Sequence, residues 1–449
     1  MRRLAAVLFI AAISGGLAGC DAVTGAASKL NVFSKEERMP GERRPAFETN
    51  AADEADTNAS STPVSIPPAT AAYDWSQPGG TPSNAPGNRT LGGQRFSTSI
   101  GASSGSGSIR DFSFGGDSGR KLVASPIVYN GAIFTIDGFA NVRAMGGGGG
   151  TSWTAALKPD GERGAGGYGG GIAADSGRIV AATGYGKVHG LDAATGAVLW
   201  TQDLESPARS APTAVGGKVY FVSADNVVHC LAIEDGAEQW TYRGIPSTAG
   251  LLSTSSPAVS GDRVVVPYSS GEIIAFSAKD GSPLWGDQLA GASRFSAVSG
   301  LRDVAGSPVI DNGVVYAVGV GGRMIAVAAK DGERLWARNI ASAQTPVVAG
   351  NSIFVVSLSG EVEALDRSNG GRRWKTDLPG GANVSWAGPV LAGSRLWLAS
   401  SDGRIVTVDP VSGTVSSDQK TAGPVYIPPI AAAGSVIVLD DTGRLSAYN

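Results

Sequence analysis

Two residue types that carry most protein chemistry are almost missing from this chain. Among its 449 residues there are two cysteines, Cys20 and Cys230, and two histidines, His189 and His229. Zinc asks for three or four ligands, so two histidines alone do not make a metal centre. No Gly-x-Ser-x-Gly elbow, His-Glu-x-x-His or Cys-x-x-Cys motif occurs, which removes the commonest hydrolase, metalloprotease and thiol-redox signatures. Lysine and arginine total 36 against 39 acidic residues, a net charge of −3 with no sustained basic stripe. That balance argues against nucleic acid as a partner. The apolar run Leu4 to Ile13 is too short to cross a bilayer stably. Long 3.6-residue periodicity is absent after the N-terminal region, so helices are not expected there.

Glycine, by contrast, is abundant at 65 residues, and it punctuates a repeat. The stretch Gly360-Glu-Val-Glu-Ala-Leu-Asp366 has seven relatives, with the apolar third position at Val142, Val188, Val228, Ile273, Met324, Val362, Ile405 and Leu445. Apolar and polar residues alternate, as a half-buried strand requires. The fifth position is small: Ala144, Gly190, Cys230, Ala275, Ala326, Ala364, Thr407 and Ala447. Smallness there suits the close approach of a neighbouring sheet. Cys230, at one of these sites, reads as a buried structural thiol. An Asp/Gly turn follows, as in Asp192-Ala-Ala-Thr-Gly196, and then Trp200, Trp240, Trp285, Trp336 or Trp374. The large indole with its single N–H donor predicts packing between adjacent sheets.

Upstream of most repeats an X-Pro step (Ser125-Pro126, Ala211-Pro212, Ser256-Pro257, Ser307-Pro308) precedes a turn and an apolar run such as Val219–Val222. Those runs predict strands buried on both faces. Four strands per unit and eight units predict an all-β, eight-bladed propeller of antiparallel blades. The eighth unit lacks its outer strand. Because an unpaired sheet edge is a liability, Arg95–Ile100 is expected to supply that strand, with Phe96 in the tryptophan's place. Blade seven lacks its tryptophan and has Val415 nearby. The five glycines 146–150 replace the Asp/Gly turn of blade one. No helix start follows them, so a hairpin is expected rather than a phosphate cradle.

Residues 1–20 read as a secretion signal. Arg2 and Arg3 precede the apolar run, which ends in Leu17-Ala-Gly-Cys20. That ending resembles a bacterial lipobox, which implies lipidation of Cys20 and leaves Cys230 without a disulfide partner. Residues 21–72 are rich in Ala, Ser, Thr, Pro and charge, and predict a disordered tether. Residues 73–449 are then the propeller with its closing segment, and the Pro/Gly-rich lead-in after Trp75 is expected to lie extended on the domain. His189 and His229 share one repeat position, also occupied by Arg143, Ile274, Ile325, Glu363, Val406 and Ser446. That mixture suits a varied lining.

The form Gly190-Leu-Asp-Ala-Ala-Thr-Gly-Ala-Val-Leu-Trp200 resembles the repeat of pyrroloquinoline-quinone dehydrogenases. Those enzymes carry adjacent cysteines beside the quinone, and no Cys-Cys pair exists here. A quinoprotein dehydrogenase is therefore the alternative reading, and no cofactor is expected. Lipobox, tether and eight-bladed repeat together resemble the BamB family of outer-membrane-protein assembly lipoproteins. Arg95-Phe-Ser-Thr-Ser-Ile-Gly101 is similar to that family's closing strand. Leu301-Arg-Asp-Val-Ala-Gly-Ser-Pro308 is similar to a family loop. The resemblance implies a non-enzymatic scaffold that binds the POTRA domains of BamA and other components of the machinery. It also implies unfolded outer-membrane-protein clients and a lipid anchor facing the periplasm. Asp21 resembles an inner-membrane retention signal, so either membrane stays open. A periplasmic propeller lipoprotein with another partner is a further alternative. The loops implied for docking lead into blades four and five. They carry Leu251 and Leu252 in one, and Leu301, Arg302 and Asp303 in the other. Leu252 stands where the family has Arg, and Ala305 where it has a second Asp.

Overall fold

The computed structural model describes residues 61–100, 122, 124–147, 149–162, 169–247, 255–289, 302–381 and 383–449. Eight four-stranded antiparallel sheets form the blades, and no helix occurs among the described residues. The blades span 127–156, 170–203, 213–243, 258–288, 309–338, 347–377 and 386–420. The eighth combines Ile430–Ala432, Ser435–Leu439 and Arg444–Tyr448 with Ser97–Ser99. The closing strand pairs antiparallel with the last strand, Ser97 opposite Ser446 and Ser99 opposite Arg444. Phe96 accepts the Ala447 N–H at 2.9 Å, so it faces the small residue that faces tryptophan elsewhere. The second strand of each blade is almost wholly buried, as in Val219 to Val222, because sheets pack against both of its faces.

The small fifth position has a different cause from the one its sequence suggests. It sits opposite the tryptophan of its own blade: Ala144 with Trp153, Gly190 with Trp200, Cys230 with Trp240. A Cβ on Gly190 would lie 2.1 Å from the Trp200 ring. A bulge follows that residue in blades one to seven and turns the indole toward the next blade. There it lies on the turn glycine, Trp200 on Gly236 and Trp336 on Gly370. Except in blade three, its Nε1 donates to a carbonyl of that blade, for example Ile233 at 2.9 Å and Arg367 at 3.0 Å. The turns are themselves rigid. Asp192 Oδ1 accepts the N–H groups of Ala194 and Thr195, and Gly196 adopts φ +75°. Blade eight has no such turn, since its outer strand comes from the other end of the chain. Blade seven correspondingly needs no indole, and Ser417 stands opposite Thr407, hydrogen-bonded at 2.7 Å.

Residues 63–93 form a strap that bonds to every blade on the face carrying the hairpin turns of the inner strands. Trp75 pairs with Val128, Ser76 O accepts from Ala174, Pro82 O from Val259 and Ser83 O from Ile310. Ser65 reaches Asn351, Arg89 bonds to Leu391 and Gly393, and Gly92 and Gly93 donate to Gly434. Gln77, 1 % exposed, uses its side chain: Nε2 donates to Ala214 O at 2.7 Å and Ala174 O at 3.1 Å, and Oε1 accepts the Ala214 N–H at 2.9 Å. Asn84 does the same toward Pro308 O at 2.9 Å. The docked chain thus starts before residue 73. Val64 and Ile66 pack against the core of blades six and seven, and Pro63 O accepts from Asn351, although their neighbourhood in sequence reads as tether.

Candidate docking face

Antiparallel blades place their inter-blade connections and second hairpin turns on one face, opposite the strap. On that face the connections into blades three, four and five converge on the turn Tyr268–Gly271 of blade four. Asn226, buried and at φ +61°, donates to Ile245 O at 2.7 Å and accepts from Ser269 Oγ at 2.9 Å. Gly244 lies against the Tyr268 ring, with no room for a Cβ. These contacts hold Ile245 rigidly while 57 % of it remains exposed. Ile245 is thus an exposed apolar side chain on a fixed connection.

Arg302 lies across the same turn. Its backbone packs on Gly271, and its side chain is exposed. Asp303 is fully buried and accepts from Arg209 Nη1 at 3.1 Å and 3.4 Å. Arg209, itself 4 % exposed, also donates through Nη2 to Pro267 O at 3.1 Å. Val304 N–H donates to Tyr268 O, and Val320 N–H to Asp303 O. Burial pushes the neighbouring Tyr268 phenol far up, so it stays neutral.

Of the residues marked in the sequence, Arg302 stands at the surface and Asp303 does not. An exposed contact role for the Asp303 carboxylate is corrected: it is a buried anchor for the loop. Leu251, Leu252 and Leu301, like Cys20, lie outside the described residues. Ile245, Asn226 and Arg209 belong to the face but carried no distinguishing signal, since each looks like an ordinary connection residue. His229 Nε2 lies 3.3 Å from Ser223 Oγ, in the turn that carries Asn226, and His189 belongs to blade two. His189 Nδ1 bonds Thr201 Oγ1 at 3.0 Å, while His229 stacks on Phe221 and lies 3.7 Å from Glu238. Among the described residues no three potential metal ligands cluster. Cys230 is buried, which pushes its thiol up to about 11.

A quinone would have to lie in the central channel. Trp75, Pro78, Asn84 and Pro86 of the strap fill it against Pro346, Pro389 and Pro429, leaving about 70 Å3. Cofactor sites commonly run from about 300 Å3 upward. The residues present do not fit a quinone there.

Fold and repeat together define an eight-bladed propeller of the quinoprotein-like repeat class. The family described as outer membrane protein assembly factor BamB matches residues 138–376 and 359–449, and the chain belongs to that family. A BamB of Yersinia pestis is 27 % identical over 173 residues, 38 % of this chain and 44 % of that protein. The match thus spans less than half the length of that relative. The crystal structure of BamB from Moraxella catarrhalis superposes with a TM-score of 0.67 at 19 % identity, covering 80 % of this chain and 99 % of that one. A quinohemoprotein alcohol dehydrogenase from Comamonas testosteroni reaches 0.63 at 14 % identity, covering 88 % and 82 %. At those identities both likenesses establish the fold alone.

Proposed function

We propose that this protein is a non-enzymatic scaffold of the outer-membrane β-barrel assembly machinery. It docks on the POTRA domains of BamA through the face around Ile245 and Arg302, and so assists the folding and insertion of outer-membrane proteins. Membership of the BamB family supports the setting. The observation that carries the site is the pair Ile245 and Arg302, exposed yet fixed by buried polar contacts on either side of one turn. An apolar anchor beside a cation suits a modest protein interface with an acidic, partly apolar partner surface. Leu251, Leu252 and Leu301 belong to the same two loops and extend the proposed contact. Lipidation at Cys20 would hold the scaffold on the outer membrane, facing the periplasm. Fractionating envelopes of a Cys20→Ser variant exported by a separate cleavable signal tests that anchor, and retention on membranes would refute it.

The test of docking is direct binding of the purified chain to purified POTRA domains. Arg302→Glu should weaken binding at least about tenfold, because it sets like charge against an acidic partner. Unchanged binding by a folded Arg302→Glu protein would refute the site.

A further inference from the structure

We infer that Arg209 is a positioning residue for docking: from blade three it reaches over blade four to hold, through Asp303, the loop that presents Arg302. This rests on the docking reading above and adds to it a residue that touches no partner. Three observations carry it. Arg209 itself is fixed at its base, since its N–H donates to Val222 O at 2.9 Å. Its guanidinium takes Pro267 O of blade four with one nitrogen and both Asp303 oxygens with the other. Both charges are almost wholly buried, and a planar fork of this kind fixes direction as well as distance. Asp303 immediately follows Arg302, so the ion pair sets where the exposed Arg302 points. The pair ties three consecutive blades beside the exposed Arg302.

A bare Arg209→Met change strands a buried carboxylate and could simply unfold the loop. The informative variant is Arg209→Met with Asp303→Leu, because replacing both members of a buried pair by apolar groups is often neutral for stability. Affinity for purified POTRA domains, melting temperature and the rate of trypsin cleavage after Arg302 are measured together. The double variant should melt close to the parent, bind at least about tenfold more weakly and be cut markedly faster at Arg302. Arg209→Lys keeps the charge but loses the fork that spans Asp303 and Pro267 O, so it should bind more weakly than the parent and more tightly than the double variant. Should the double variant not fold, Arg209→Gln with Asp303→Asn carries the same test, because it removes both charges and keeps polar groups of similar shape. Parent-like binding and cleavage by a folded double variant, with Arg302→Glu defective, would overturn the inference and leave the docking face standing. Parent-like binding by Arg302→Glu would overturn both.

Discussion

Gln77 offers the sharpest perturbation of the strap. Its amide sits between the inner strands of blades two and three, and three hydrogen bonds at 2.7, 2.9 and 3.1 Å join it to their backbones. Gln77→Leu keeps roughly the same bulk and removes all three. A buried hydrogen bond contributes about 1 kcal/mol net, so losing three should cost about 3 kcal/mol. Unfolding entropy near 2.1 cal/mol/K per residue over the roughly 390 residues from the strap onward gives about 0.8 kcal/mol/K. The melting temperature should therefore fall by about 4 °C, read by differential scanning calorimetry at one fixed scan rate. Ser83→Ala is the control. Ser83 meets Ile310 through its backbone carbonyl, so its substitution should shift melting by less than about 1 °C. A Gln77→Leu protein that melts with the parent would refute the view that the strap is a bonded part of the propeller.

The inter-blade indoles supply a paired comparison. Trp200 Nε1 donates to Ile233 O, whereas Trp240 Nε1 has no partner, because Lys218 Nζ takes the equivalent Ala278 carbonyl at 2.6 Å. Both are buried alike, so Trp200→Phe should destabilise by about 1 kcal/mol more than Trp240→Phe in denaturant titrations, and equal losses would contradict the assignment. Acid should act through His189. Burial, aided by Lys187, pushes its imidazole down to about 4, below the unfolded value of 6.5. The folded state then binds fewer protons between those values, so stability from this group is present above pH 6.5 and falls away as pH drops toward 4. The loss is at most about 3 kcal/mol, and His189→Gln should flatten melting temperature across that window.

The propeller was legible because its signals are local and repeated. The alternating strand recurs eight times, Asp/Gly turns and tryptophan spacing recur in most blades, and the missing strand of blade eight pointed to Arg95–Ile100. The face was only half legible. Asp303 reads as a surface charge until Arg209, 94 residues earlier, is placed beside it. Nothing within one repeat announces a contact that skips a blade. The strap was equally hidden, since Gln77 and Asn84 gain their meaning from inner-strand edges that only the closed ring brings together. Gly190 shows the same limit: its smallness was visible, but the indole it makes room for lies in its own sheet.

Photo-crosslinking in living envelopes tests the docking face most directly. A photoreactive residue is placed at position 302, or at Tyr73 on the opposite face, where 76 % of the side chain is exposed. Adducts with BamA are expected from position 302 and not from position 73. Adducts from position 73 alone, or from neither position in a folded and exported protein, would contradict a scaffold docked through this face.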